Sequence, residues 1–119
     1  MMSSVFILSI GAAAGAVSRW LLTLLPWHAF PFVPATLAAN WVGAFCIGIA
    51  APLISDPHWK LLLITGFLGS LTTLSGLSLE TVSLLQQHRF AAALLTVCLH
   101  VFGSFALTAL GLWLAGLGK

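Results

Sequence analysis

Apolar residues run along this chain in four long blocks, at about 4–25, 33–54, 61–86 and 91–117, separated by short polar breaks. Each block reaches the roughly 20 residues that an α-helix needs to cross about 30 Å of hydrocarbon. None divides into the short alternating segments of an outer-membrane barrel. The breaks fall around 26–32, where Pro26, Pro31 and nearby Pro34 cluster, at 55–60 and at 87–90. No soluble domain fits between the blocks. The pattern therefore predicts an all-α membrane protein, one domain over 1–119 with four transmembrane helices. The first block has no basic n-region, and Arg19 follows its apolar run, which separates it from a secretory signal peptide.

Composition sharpens this picture. Of 119 residues, 61% are hydrophobic and 5% are charged, whereas a soluble domain carries about a quarter charged residues. Arg19, Asp56, Lys60, Glu80, Arg89 and Lys119 are too few to solvate a globule, so the lipid bilayer must solvate the apolar surface. Trp20, Trp27, Trp59 and Trp113 fall near span ends, as an interfacial aromatic belt requires, while Trp41 is deeper and is expected to pack against protein. Cys46 and Cys98 lie inside apolar blocks and read as small core residues, with no disulfide inferred.

Charge placement bears on assembly. Four spans put both termini on one side, with Lys60 and Lys119 there and Arg19 and Arg89 toward the other. Two basic residues against two leave the positive-inside rule without a preferred orientation. The chain is therefore expected to insert both ways and pair as an antiparallel, dual-topology homodimer, the two-chain form of the inverted repeats of transporters. Gly11 and Gly15 form a GxxxG pair, with Gly43, Gly48, Gly103 and Gly111 further along. Such small residues permit close helix contact, within one chain or across a dimer, and the sequence leaves both open.

No enzyme chemistry is apparent. Asp56 and Glu80 are far apart, and His28, His58, His88 and His100 lack metal-ligand spacing. There is no nucleophile–base arrangement and no phosphate-binding glycine loop after a strand, and no nucleic-acid partner is expected. The informative stretch is 66–80. It holds Gly66, Gly69 and Gly76 together with Ser70, Thr72, Thr73, Ser75 and Ser78. Such a run suits a third helix broken near the midplane, where irregular backbone is tolerated if it lines a cavity and its free carbonyls can hold a cation. The alternative is an ordinary Ser/Thr-rich helix. Asn40 lies roughly 10 Å into the second span at about 1.5 Å per residue. Its N–H groups either bind an anion in a wet path or bond a neighbouring helix. His100, Ser104 and Thr108 share one face of the fourth helix, as a wet track or as helix–helix glue. Arg19 either snorkels to the interface or makes an electropositive vestibule.

At these residues the sequence resembles the Fluc fluoride channels, the CrcB family. The resemblance covers nearly the whole chain. It is carried by 15–20 (GAVSRW), 35–40 (ATLAAN), 65–69 (TGFLG), Leu71-Thr72-Thr73, Ser75, Ser78 and Glu80, then Gly103-Ser104 and 108–111 (TALG). It implies a dual-topology homodimer with two fluoride pathways in the bacterial cytoplasmic (inner) membrane, which lets cytoplasmic fluoride out and relieves its toxicity. By position, Asn40, Leu74, Ser75, Leu77, Ser78, Ser104 and Thr108 match the pore, and Arg19 matches the vestibule arginine. Gly69 and Thr72 match the backbone carbonyls that hold a structural Na⁺ at the dimer interface.

One departure touches conduction. Leu74 and Leu77 stand where the family carries two pore phenylalanines. Ring edges carry partial positive charge that leucine lacks, so altered or impaired permeation is implied. A milder departure is Ala35, where the family carries glycine. The alternatives are a non-conducting or heteromeric channel subunit and a small multidrug-type antiporter. The antiporter shares the four-span plan but needs a buried carboxylate in the first span, and none is present.

Overall fold

The computed structural model describes residues 1–26 and 34–117, so the expectations resting on Trp27, His28, Pro31 and Lys119 lie outside the described residues. In order come α1 (Met2–Leu22), α2 (Ala35–Leu53), α3 (Pro57–Trp59), a π-helix (Lys60–Leu68), α4 (Gly69–Leu71), α5 (Leu74–Gln86) and α6 (Phe90–Leu117). Among the described residues there is no strand. Among the described residues, four helical segments are long and apolar enough to cross a membrane: Met2–Leu22, Ala35–Leu53, Pro57–Gln86 and Phe90–Leu117.

The third span begins at Pro57, earlier than the boundary at 61 drawn from hydropathy. Asp56 is the reason. Its carboxylate accepts the backbone N–H groups of His58 at 2.8 Å and Trp59 at 3.3 Å. Pro57 occupies the first turn, where its missing N–H costs nothing. At the other end, α5 closes on itself. Arg89 N–H donates to the Leu84 carbonyl at 2.9 Å and His88 N–H to that of Leu85 at 3.0 Å. His88 takes the left-handed conformation that this kind of helix stop requires, with φ of 58°.

Two packing arrangements build the bundle. In the first, α1 lies along residues 60–71 with glycine at the contact. A Cβ on Gly11 would fall on the Leu62 carbonyl oxygen, and one on Gly15 would fall on that of Phe67. Gly66 answers from the other side, where a Cβ would stand 2.9 Å from the Leu8 oxygen and 3.1 Å from the Gly11 Cα. The GxxxG pair is therefore occupied within the chain, by backbone-to-backbone contact of the kind small residues permit. The π-helical turns coincide with this stretch.

In the second arrangement, α2 packs on α6 and α5 packs beside it. Trp41 lies over Gly103 and donates its indole N–H to the Leu99 carbonyl at 2.9 Å, as its depth in the span requires. A buried cluster sits where α2 meets the third span, Ala39 with Leu68 and Leu71, and Leu37 of α2 and Ala93, His100 and Ala115 of α6 are buried as well. Much of the rest is outward-facing apolar surface, which lipid solvates as readily as another helix does.

Candidate functional site

The site forms where the third span stops being helical. After Leu71 the backbone extends, with Thr72 at φ −84°, ψ 157° and Thr73 at φ −149°, ψ 121°. Two adjacent β-branched threonines suit that conformation. Thr72 returns both its N–H and its hydroxyl to the Leu68 carbonyl, at 3.2 and 3.1 Å. The Thr73 hydroxyl accepts the Gly76 N–H at 3.0 Å and so starts α5 as an N-cap.

Breaking the helix strands polar groups that need partners. Asn40 takes the largest share. Its Oδ1 accepts the Thr73 N–H at 2.7 Å, and its Nδ2 donates to the Thr73 carbonyl at 3.1 Å. The same Nδ2 lies 2.9 Å from His100 Nδ1. The carboxamide thus uses its oxygen and both N–H groups at once. Arg19 takes another. Its Nε donates to the Ser70 carbonyl at 3.2 Å, a cation at the carbonyl end of a helical segment.

The carbonyls of residues 69–72 all lose the donors that a continued helix would give them, and that of Ser70 gains Arg19 instead. A continued helix would bring the Thr73 N–H back to Gly69 and the Gly76 N–H back to Thr72. Those donors go instead to Asn40 Oδ1 and to Thr73 Oγ1. The oxygens of Gly69 and Thr72 are thus among those released.

Two adjoining grooves border the break. One, of about 310 Å³, is lined by Asn40, Gly69, Thr72, Ser104 and Thr108 with apolar neighbours including Ile47 and Leu68. The other, of about 230 Å³, is lined by Asn40, Thr73, Leu74, Leu77, His100 and Ser104 among others. Asn40, Thr72, Ser104 and Phe105 line both. Seven of the sequence-derived positions are therefore brought together: Asn40, Gly69, Thr72, Leu74, Leu77, Ser104 and Thr108. Three are not lining residues. Ser75 pairs its hydroxyl with that of Thr73 at 3.0 Å, Ser78 is exposed on α5, and Arg19 reaches the break at Ser70. The Thr108 hydroxyl donates to the Ala44 carbonyl at 2.8 Å, tying α6 to α2. Sequence reading placed His100 on the right helix face but not against Asn40. Four-residue spacing reports a shared face and is silent about what meets it. Among the described residues no three His, Cys, Asp or Glu side chains converge on a metal-sized site.

Four membrane-length helical segments, the third interrupted at Thr72–Thr73, with a carboxamide holding the unwound residues beside an open, largely apolar groove, define a small polytopic membrane protein. The model of the family described as CrcB-like protein, Camphor Resistance (CrcB), matches residues 6–112, and the chain belongs to this family. A protein of Neisseria meningitidis serogroup B is 60% identical over 112 residues, covering 94% of each chain. One from Neisseria gonorrhoeae is 56% identical over the same length, and one from Burkholderia lata is 46% identical over 121 residues, covering 97% of this chain and 94% of its own. All three carry the name fluoride-specific ion channel FluC.

Proposed function

We propose that this chain is a fluoride channel of the bacterial cytoplasmic membrane that lets intracellular fluoride leave the cell. The observation that carries the reading is the Asn40 carboxamide holding Thr73 at the interruption, beside a groove that reaches the surface. Fluoride is small and strongly hydrated, so a narrow path must replace its lost water contacts with donors. Asn40 presents N–H groups without a charge that would trap the ion. The first turn of α5, capped by Thr73, adds the partial positive end of a helix on the same side. Leu74 and Leu77 supply dry walls, with little of the ring-edge charge that phenylalanine would offer.

The working unit in this proposal is an antiparallel homodimer. A groove containing Asn40, Thr72 and Ser104 is costly if it faces lipid. Leu74, 79% exposed, and Phe105, 69% exposed, stand at its edge. A second copy, inverted in the membrane, would cover them and keep the balanced basic residues of both copies satisfied. The released carbonyls of Gly69 and Thr72 suit a hard cation, since both border the same groove and both have lost their helical donors. A sodium ion held by them would supply fixed positive charge beside the anion path. Arg19 supports that arrangement by satisfying Ser70 and holding the end of the preceding helical segment in place.

A subunit that completes a partner's pore without conducting alone is the reading that Leu74 and Leu77 favour. Fluoride efflux from liposomes holding only this purified chain decides. Fluoride release well above that of protein-free vesicles, with chloride retained, supports the channel. No release from correctly assembled dimers overturns it in favour of the partner-dependent subunit.

A further inference from the structure

We infer that His100 is a positioning residue of the ion path: its Nδ1 accepts the second N–H of Asn40 and fixes the carboxamide that clamps Thr73. The inference rests on the fluoride-channel reading above and adds a residue and a proton-sensitive hydrogen bond to it.

The geometry leaves one arrangement. The Thr73 N–H must meet an acceptor, which puts the Asn40 oxygen against it at 2.7 Å. Asn40 Nδ2 then faces the Thr73 carbonyl at 3.1 Å with one hydrogen and His100 Nδ1 at 2.9 Å with the other. An amide nitrogen has no acceptor capacity, so His100 Nδ1 can only accept, and the ring's hydrogen sits on Nε2. That Nε2–H is buried without a hydrogen-bond partner, in a residue only 4% exposed. Glu80 Oε2 lies 3.9 Å away, too far for a hydrogen bond.

A histidine that served only as filler would be poorly placed here, since burying an unpaired N–H is costly and leucine would pack without that cost. The bond made by Nδ1 gives the ring its use. It holds Asn40 at the angle that meets both polar groups of Thr73. The surroundings of the ring are simple. From α5 the facing ionisable group is Glu80, from α2 it is met by the uncharged Asn40, and among the described residues no Asp, Glu, Lys or Arg lines the groove beside it.

A consequence follows for acid. A proton added to His100 goes to Nδ1, the one ring nitrogen that carries no hydrogen, and displaces the bond from Asn40. Nδ1–H then confronts Asn40 Nδ2–H, donor against donor, while the imidazolium is drawn toward the Glu80 carboxylate. The carboxamide loses its third bond and with it the fixed hold on Thr73. Conduction is therefore expected to fall as His100 becomes protonated.

The test uses the full-length chain in liposomes, with fluoride efflux measured across about pH 8 to 5, bracketing ordinary histidine titration. Leak from protein-free vesicles is subtracted at each pH. His100→Asn keeps an acceptor near the Nδ1 position and cannot take up a proton; His100→Leu removes the acceptor. His100→Leu is expected to lose about tenfold in flux, the change equivalent to roughly 1.4 kcal/mol of lost hydrogen bonding. His100→Asn is expected to retain flux and to lose the acid-induced fall. Equal flux in the leucine variant and the unsubstituted chain overturns the inference.

A second measurement is independent of conduction and of whether His100→Leu folds. In the unsubstituted protein labelled with ¹⁵N-histidine, the resonance missing from His100→Asn should report hydrogen on Nε2 and a bare Nδ1. Hydrogen on Nδ1 at neutral pH overturns the inference whatever the flux. A silent channel with hydrogen on Nε2 overturns the fluoride reading and leaves the hydrogen bond standing.

Discussion

Residues 57–71 and residues 72–76 belong to one membrane span and meet their neighbours in opposite ways. Before the break, backbone touches backbone across Gly11, Gly15 and Gly66, with only the Ser70 Cβ close beside Gly15. After it, α2 reaches in with a carboxamide and makes bonds to both polar groups of Thr73. The first contact depends on shape, and any added atom opposes it. The second depends on donors and acceptors, and atoms can be exchanged there at constant shape. Assembly and conduction should therefore fail separately, the one through the glycines and the other through Asn40.

The largest effect is expected at Gly15. Leucine there would drive a side chain into the Phe67 carbonyl and the Ser70 Cβ, both belonging to a packed helix. The cost of such overpacking is of order 3 kcal/mol or more. Size-exclusion chromatography in detergent should show loss of the monodisperse species. Gly116→Leu is the control, because nothing lies within 4 Å of a Cβ there, and its yield should match the unsubstituted chain. If both glycines tolerate leucine equally, shape is not what holds the first half of the span.

Asn40→Ala comes next. It removes three part-buried hydrogen bonds, two to Thr73 and one to His100 Nδ1, each contributing about 1 kcal/mol net. A loss of roughly two decades in fluoride efflux is expected at about 1.4 kcal/mol per tenfold, with the helical content retained. Wholesale aggregation instead would mean that the polar contact, too, serves assembly.

Leu74→Phe combined with Leu77→Phe should act in the opposite direction. Each ring edge restored to the groove is worth about 0.5–1.5 kcal/mol by analogy with aromatic pairs. Together they should raise efflux by roughly a decade, taking about 1.4 kcal/mol per tenfold. No increase would show that the ring edges contribute nothing in this chain. The smallest effect belongs to Thr108→Val, which removes the hydroxyl bond to the Ala44 carbonyl. Interhelical bonds in membranes average about 0.6 kcal/mol, so thermal unfolding in detergent should shift by only a few degrees.

How much of this was legible in the sequence follows the same division. The four spans were plain from hydropathy, because lipid imposes length and apolarity on each helix separately. The start at Pro57 carried a readable signal in Asp56-Pro57, a capping acid before a first-turn proline, which the polarity of 55–60 obscured. The π-helix had none, for it depends on which helix lies against 60–68. The glycines announced close contact without saying with what, and only the fold assigns Gly11 and Gly15 to the same chain. Asn40 was legible as a buried polar residue. Its choice of Thr73 and His100 was not, since residues 33 and 60 positions away meet only through packing. Arg19, open between interface and vestibule in the sequence, has its Nε on the Ser70 carbonyl.

The most direct test of the central claim, that fluoride passes the interruption held by Asn40, is efflux from liposomes containing purified Asn40→Asp beside the unsubstituted chain. Aspartate keeps the shape and the acceptor for Thr73 N–H but replaces the donor nitrogen by a charge that repels the anion. Fluoride efflux is expected from the unsubstituted chain and none above background from Asn40→Asp, with both proteins running as the same species on size exclusion. Equal fluoride efflux from the two would contradict that claim.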